Sequence, residues 1–500
     1  MSAHSATTDA ASPFRLSKVL GVLAITASAV AAEYGAGINF VSTQSLGVYP
    51  DVHGLVPLAM FVTGILVLPK TYIFIAFSRV IPRAGSKYVW AARSLGLPVG
   101  FLAAFIWWIT GAASIGVLSF AFGTFISQAL NGIVPGLGAG LVTPVGHLIV
   151  GLVAIWGCFA VNASGVRHYG AFVVILFAII CAVALIIMAY GFTTSPDTFL
   201  AAASKVANVT LAPPTTSEPD NWWHFISVCS LFIFAYAGLS AGPSLGGEVH
   251  DPHTTLPRGI MFGWIVALVL FSGVAAALFH AAPWWAVLGL MHAHKAAYAT
   301  APGLIGLVAP QWLSVVLNLA VALIVGKTIA PGLMVGSRTA FAWGQDGMFS
   351  PAFADTSSRK VPMAGIWLMT ILGSLALLQS VIAGWALGVA VRAITVLAIW
   401  LALAVGILML RWHPRFRQLA WASQIADGPL VLLAALVSII VTVPLMASLM
   451  VAPHAALIFQ PWLQGIIVIV AGLIVLWFAR RRLAARGESF NDVMRQLPIE

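Results

Sequence analysis

The chain has 500 residues, of which 61% are hydrophobic and only 8% charged, against about 25% charged in a soluble domain. So few charges cannot cover a water-facing surface of this size, which excludes a soluble protein and implies one embedded in a membrane. The formal net charge of +10 then has to be explained by where the basic residues fall.

Residues 1–18 are polar apart from their end, and no signal-peptide cleavage site reads well after them, so the first apolar run is expected to remain as a permanent span. Twelve apolar runs follow, at 19–45, 55–78, 98–130, 144–163, 169–192, 222–246, 258–281, 309–336, 361–383, 385–410, 429–451 and 461–480. Each is near or above the roughly 20 residues that a membrane helix needs. The runs are continuous rather than alternating, which predicts helices and not a β-barrel. The third is long and predicts a tilted helix. Cys158, Cys181 and Cys229 all fall in apolar segments and read as small buried hydrophobes rather than a disulfide set.

With the N-terminus in the cytoplasm, the inner segments carry Arg15, Lys18, Arg79, Arg83, Lys87, Arg93, Arg167, Arg258, Arg338, Arg359, Lys360, Arg411, Arg415, Arg417, Arg480, Arg481, Arg482, Arg486 and Arg495. The outer loops carry Lys205 and Lys295. This bias predicts that both termini are cytoplasmic. It also explains the positive balance through anionic membrane lipid, with no nucleic acid. Three basic residues, Lys70, Lys327 and Arg392, fall inside spans, and Glu33 is the acid that clearly does.

Span one carries YGAGINF at 34–40, and span six carries YAGLSAGPSLGGE at 236–248, with Gly238, Gly242, Gly246, Gly247 and Pro243. One glycine-broken helix reads most simply as close packing. A pair at corresponding positions of two halves points to a transporter site built from inverted repeats. Spans 1–5 and 6–10 are then the halves, over 19–192 and 222–410 within a ten-helix core at 19–410. A cytoplasmic loop at 411–428, helices 11 and 12 at 429–480 and a tail at 481–500 complete the division. The outer half of span one, starting near Ala36 to Ile38, presents free N–H groups and a positive dipole end that suit a carboxylate. The outer half of span six, ending near Tyr236 to Gly238, presents carbonyls that suit an ammonium group. Together they favour an amino acid or a related amine.

Three segments at the inner edge extend the pattern: IPRAGSKYVWAARSLG at 81–96, GGEVHDPHTTLPRGI at 246–260 and SRTAFAWGQDGMFSPAFA at 337–354. In order and spacing the chain resembles the amino acid–polyamine–organocation superfamily, especially its amino acid permease branch. The family patterns are Pro-Arg-x-Gly-Gly-x-Tyr, Glu-x-x-x-Pro-x-x-x-x-Pro-Arg, and Ser-Arg followed by Asp-Gly. The resemblance implies an all-α membrane fold of twelve helices, a five-plus-five inverted repeat with discontinuous helices 1 and 6, and two extra C-terminal helices. It implies alternating access driven by protons, sodium or a counter-substrate. It also maps Gly35 and Gly37 to the span-one substrate motif, Tyr236 to Gly238 to the span-six break, and Glu248, Pro252, Pro257 and Arg258 to the inner edge. The chain departs from the pattern at Ser86, where the family has a second glycine, and at Asn39, where an apolar residue is usual.

Substrate-binding candidates are therefore Glu33, Gly35, Ala36, Gly37, Ile38, Asn39, Phe234, Ala235, Tyr236 and Gly238, with Lys327 and Glu33 as coupling candidates. Lys327 lies eleven residues before Arg338, about 16 Å along a helix, and so near mid-membrane. Some members of the resembled family hold sodium between spans one and eight, where this lysine would put its ammonium. That suggests transport coupled to protons or to exchange. Glu33 is expected to pair with Lys327 or to face a cationic substrate. Lys70 is expected to line the core or meet a helix carbonyl, and Arg392 to snorkel to the outer surface. Trp222-Trp223 and Trp284-Trp285 fit interfacial belts, while Trp107-Trp108 lies deeper. His292 and His294 are too few ligands for a metal site. No cofactor is expected. The absence of a phosphate-binding GxxxxGK[ST] loop argues against an ATP-driven pump, and the lack of a clustered catalytic motif argues against an enzyme. A channel or a nutrient sensor on the same fold is the alternative.

Overall fold

The computed structural model describes residues 20–83, 85–134, 136–164, 169–215, 219–246, 249–359, 361–451 and 456–495. Arg15, Lys18, Arg167 and Lys360 of the orientation pattern, Gly247 and Glu248 of the second motif, and the ends of both tails lie outside these limits.

Among the described residues eleven helical stretches are long and apolar enough to cross a membrane, and each coincides with one of the expected spans from the second onward. The second span is α2 (Val56–Leu66) and α3 (Leu68–Val80), stepped at Val67 because Pro69 begins the second piece. The short α4 (Ser86–Leu95) leads into the third span, α5 (Leu97–Ile109) and α6 (Gly111–Ile133). This third span is one stretch of 37 residues with a single joint. Its joint is Thr110, whose hydroxyl bonds the carbonyl of Ile106 at 3.0 Å and the Thr395 hydroxyl at 2.5 Å. Then come α7 (Pro144–Ala163), α8 (Tyr169–Thr193), α9 (Trp222–Phe232), α10 (Pro252–Ala281), α11 (Gln311–Gln345), α12 (Met363–Ala383), α13 (Trp385–Trp412), α14 (Pro429–Ser448) and α15 (Pro461–Ala485). A short α16 (Phe490–Arg495) closes the described chain. The expected first span, 19–45, is not among the eleven because it is made in pieces, beginning with α1 (Val22–Glu33).

Burial orders these helices from centre to rim. In the most apolar window of Trp222–Ser244, 76% of residues are buried; in that of α15 only 11% are, so α15 is peripheral. α1 packs on α10 and on the turn Ala235–Ser240, while α6 packs on α11 and α12. α11 runs nine residues past the expected end at 336, so much of the third motif is helical.

The three motifs converge at the arginine-rich end. Arg93 of the first grips Asp346 of the third through two bonds, at 2.8 and 3.2 Å, and the Tyr88 hydroxyl donates to the same carboxylate. Arg93 is 1% exposed and Asp346 7%, so Arg93 is a buried structural group rather than a topology charge. Ser86 sits at φ +26°, on the left-handed side where the family pattern has glycine, and its hydroxyl meets that of Ser244, in the chain leading to the second motif, at 3.2 Å. At the opposite end, Asp51 bonds His224 at 2.7 Å and His53 bonds Asp220 at 2.8 Å, tying the turn Pro50–Leu55 that leads into α2 to the start of α9.

Removing one partner from a buried ion pair strands the other. Asp346→Asn is expected to lower stability by about 3–5 kcal/mol, read as a fall in Tm of the detergent-solubilised protein. The double replacement Arg93→Met with Asp346→Leu is expected to recover most of that loss.

Candidate solute-binding site

Two helix breaks meet in the middle of the bundle. α1 stops at Glu33, Tyr34 turns to φ −70°, ψ 96°, and the helix resumes over Gly37–Val41 in wide π-type turns. This resumption is where the sequence put it. α9 stops at Phe232, and the chain tightens into the 3-10 turn Ala235–Ser240 before the short helix Ala241–Ser244. The second break therefore opens earlier than Tyr236. It is tightened rather than unwound, because Ile233 and Phe234 already donate to carbonyls only three residues back, Ser230 and Leu231.

The glycines make the crossing. A Cβ on Gly37 would lie 2.6 Å from the backbone of Ala235, and one on Gly238 would lie 2.5 Å from the carbonyl carbon of Ala32. The two broken strands of chain thus touch backbone to backbone. A Cβ on Gly35 would meet nothing closer than the Thr328 hydroxyl at 3.4 Å.

Each break frees backbone groups that hydrocarbon cannot satisfy, and three ionisable side chains take them. Glu33 Oε1 accepts from the Leu239 amide at 2.9 Å. Lys70 donates to the Tyr236 carbonyl at 3.3 Å, with its ammonium 3.8 Å from the Trp400 ring centre. Lys327 donates to the Ala31 carbonyl. These contacts correct two expectations. Glu33 does not pair with Lys327, since each caps the backbone of a different helix. The Tyr236 carbonyl, expected to receive a substrate ammonium, is already held by Lys70.

A cavity of about 120 Å³ opens beside the crossing, several times the roughly 10–15 Å³ that one water needs. Of the candidates, Glu33, Gly35, Ala36, Gly37, Phe234 and Gly238 line it. Ile38, Asn39, Ala235 and Tyr236 are buried in the packing around it. Asn39, the departure from the family pattern, turns its Nδ2 back to the Gly35 carbonyl at 3.0 Å and so steadies the break. Glu33 Oε2 is buried with no partner. Sequence reasoning missed most of the remaining wall: Trp108, Ser114, Ile115 and Leu118 from the third span, Thr328, Pro331 and Val335 from α11, and Met369 from α12. Only Pro331 carried a signal, since a proline within a helix leaves the carbonyl four residues back, that of Lys327, without its donor.

Arg392 also lines the cavity and is 8% exposed. It does not snorkel outward, because its guanidinium is held inward by the Trp107 carbonyl at 2.5 Å. Lys87, read as a topology charge, is likewise buried, with its ammonium 3.6 Å from the Trp107 ring centre. Trp107 and Trp108 are therefore core and cavity wall.

The family model described as amino acid permease matches residues 18–479. The chain is similar to the branched-chain amino acid permease BcaP of Lactococcus lactis subsp. cremoris (strain MG1363), 23% identical over 322 residues, covering 63% of this chain and 65% of that protein. It is similar to the serine/threonine exchanger SteT of Bacillus subtilis (strain 168), 24% identical over 268 residues, covering 53% and 55%. It is also similar to the vacuolar cationic amino acid transporter 4 of Arabidopsis thaliana, 23% identical over 367 residues, covering 70% and 56%. The matches thus span less than two thirds of each of these relatives.

The steric asymmetry of the glycines is testable. Gly37→Ala must push the two breaks apart and is expected to cost about 1–3 kcal/mol, lowering Tm. Gly35→Ala is expected to leave Tm unchanged, because its methyl group projects where only ordinary contacts await it.

Proposed function

Because the chain belongs to the amino acid permease family, we propose that it is a secondary transporter moving an amino acid or related amine across a membrane by alternating access. One observation carries this reading: two broken helices cross at a cavity, and one oxygen of a buried carboxylate there, Glu33 Oε2, has no partner among the described residues. The first amides of the resumed helix at Gly35, Ala36 and Gly37 line the same cavity. Such amides lack intrahelical acceptors and suit a carboxylate. Glu33 Oε2 suits the ammonium. A zwitterion spans the two, and the apolar wall formed by Ile115, Leu118, Phe234 and Met369 receives its side chain.

Lys327 supports a coupling role. Its ammonium joins α11 to the last turn of α1 through the Ala31 carbonyl, so it supplies the positive charge that a metal cation bridging these helices would bring. Transport is then independent of sodium and coupled to protons or to exchange. The inverted halves are 19–192 and 222–410, the tails and the loop at 411–428 face the cytoplasm, and the membrane is the cell membrane. The bias of arginine and lysine supports this orientation.

The reading is tested with purified protein in liposomes. Saturable counterflow of amino acids is expected, and Glu33→Gln is expected to weaken it about tenfold or more, as loss of a charge-assisted hydrogen bond would. Flux that never saturates and shows no counterflow would mean a channel, and binding without flux a sensor. With sodium and proton gradients imposed separately, strict sodium dependence would overturn the role given to Lys327.

A further inference from the structure

Among the described residues, four buried cations lie around the crossing and its cavity, with one buried carboxylate, Glu33. Lys70, Lys87, Arg392 and Lys327 are between 2% and 9% exposed, and Glu33 is 4% exposed. Lys327 is engaged with the Ala31 carbonyl and Lys70 with the Tyr236 carbonyl. Lys87 and Arg392 share one indole, that of Trp107, with the Lys87 ammonium at 3.6 Å and the Arg392 guanidinium carbon at 5.0 Å from its ring centre. Among the described residues neither Lys87 nor Arg392 has a carboxylate partner.

A lysine can shed its proton, but an arginine keeps its charge. Arg392 is therefore the fixed cation of the group, at a depth where an uncompensated charge is costly. Among the described residues its one hydrogen bond runs from Nη1 to the Trp107 carbonyl, and its Nε is buried without a partner. The indole it shares with Lys87 attracts cations but cannot neutralise two of them. A planar fork with an unused donor, on a cavity wall, fits a carboxylate in two-point contact.

Resting on the transport reading above, we propose that the cavity is selective for amino acids with a second acidic group, and that Arg392 receives that group. The α-carboxylate goes to the amides at Gly35–Gly37 and the α-ammonium to Glu33 Oε2. The side-chain acid reaches across to Arg392, whose charge, with that of Lys87 behind Trp107, is then balanced.

The test compares isosteric pairs against the full-length protein in liposomes, glutamate with glutamine and aspartate with asparagine, both in binding and as drivers of counterflow. The acid of each pair is expected to bind about 10- to 100-fold more tightly than its amide. Arg392→Gln is expected to bring that ratio to near one, and Arg392→Lys to retain part of it. The wild-type comparison stands by itself if Arg392→Gln does not fold. Equal use of acid and amide, or a requirement for chloride with no preference for the acid, would overturn the selectivity and leave the transport reading intact. Absence of counterflow with every amino acid would overturn the transport reading instead.

Discussion

A helix interrupted within hydrocarbon leaves amides and carbonyls that water cannot reach, each costing several kcal/mol if left bare. In this protein the cost is met across the crossing of two such helices. Glu33, from the end of α1, caps the Leu239 amide in the second break, Lys70 caps the Tyr236 carbonyl there, and Lys327 caps the Ala31 carbonyl in the last turn of α1. The glycines at 37 and 238 bring the backbones near enough for Glu33 to reach its amide. The arrangement is reciprocal, since each broken helix is completed by groups from outside itself.

That reciprocity accounts for most of the ionisable residues buried at depth. A carboxylate and two lysines in a membrane interior would each be expensive as isolated charges. Placed on orphaned backbone groups, they replace a larger penalty with charge-assisted hydrogen bonds. It also constrains motion. The caps join α3 and α11 to the two breaks, so a rigid-body shift of either helix stretches a cap as well as packing. Because caps and cavity share Glu33, a solute bound at Oε2 acts on the same side chain that holds the second break.

The spans were legible because a membrane imposes a length and a composition that need no partner to be recognised. The first break was legible for a similar reason, since Gly35 and Gly37 sit two apart in an otherwise continuous apolar run. The second was displaced because tightening began at Ile233 and Phe234, residues with no turn signature. Pairings across helices were the least legible. The spacing of Lys327 from Arg338 gives its depth but not its azimuth, so its meeting with Ala31 rather than Glu33 had no local sign. Trp107 looked like one of several tryptophan pairs, and Lys87 like one more basic residue at a helix end. Only the fold stacks Lys87 and Arg392 on the same indole.

The three inner-edge motifs describe a different part of the molecule from the cavity. Pro82, Ser86, Tyr88 and Arg93 meet Ser244, Gly246 and Asp346 at the arginine-rich end, through a buried ion pair, a hydroxyl pair and the approach of Gly246 to Pro82. None of these residues lines the cavity. The motifs therefore report how this end of the bundle is fastened, which a transporter needs whatever it carries. The cavity wall is built instead largely from positions on α5, α6, α11, α12 and α13, outside the three motifs. A chain can thus share the fastening with proteins named for branched, hydroxylated or cationic amino acids and still carry its own charge on the wall. Arg392, fixed in charge and turned inward by Trp107, is the wall residue on which the proposed selectivity rests.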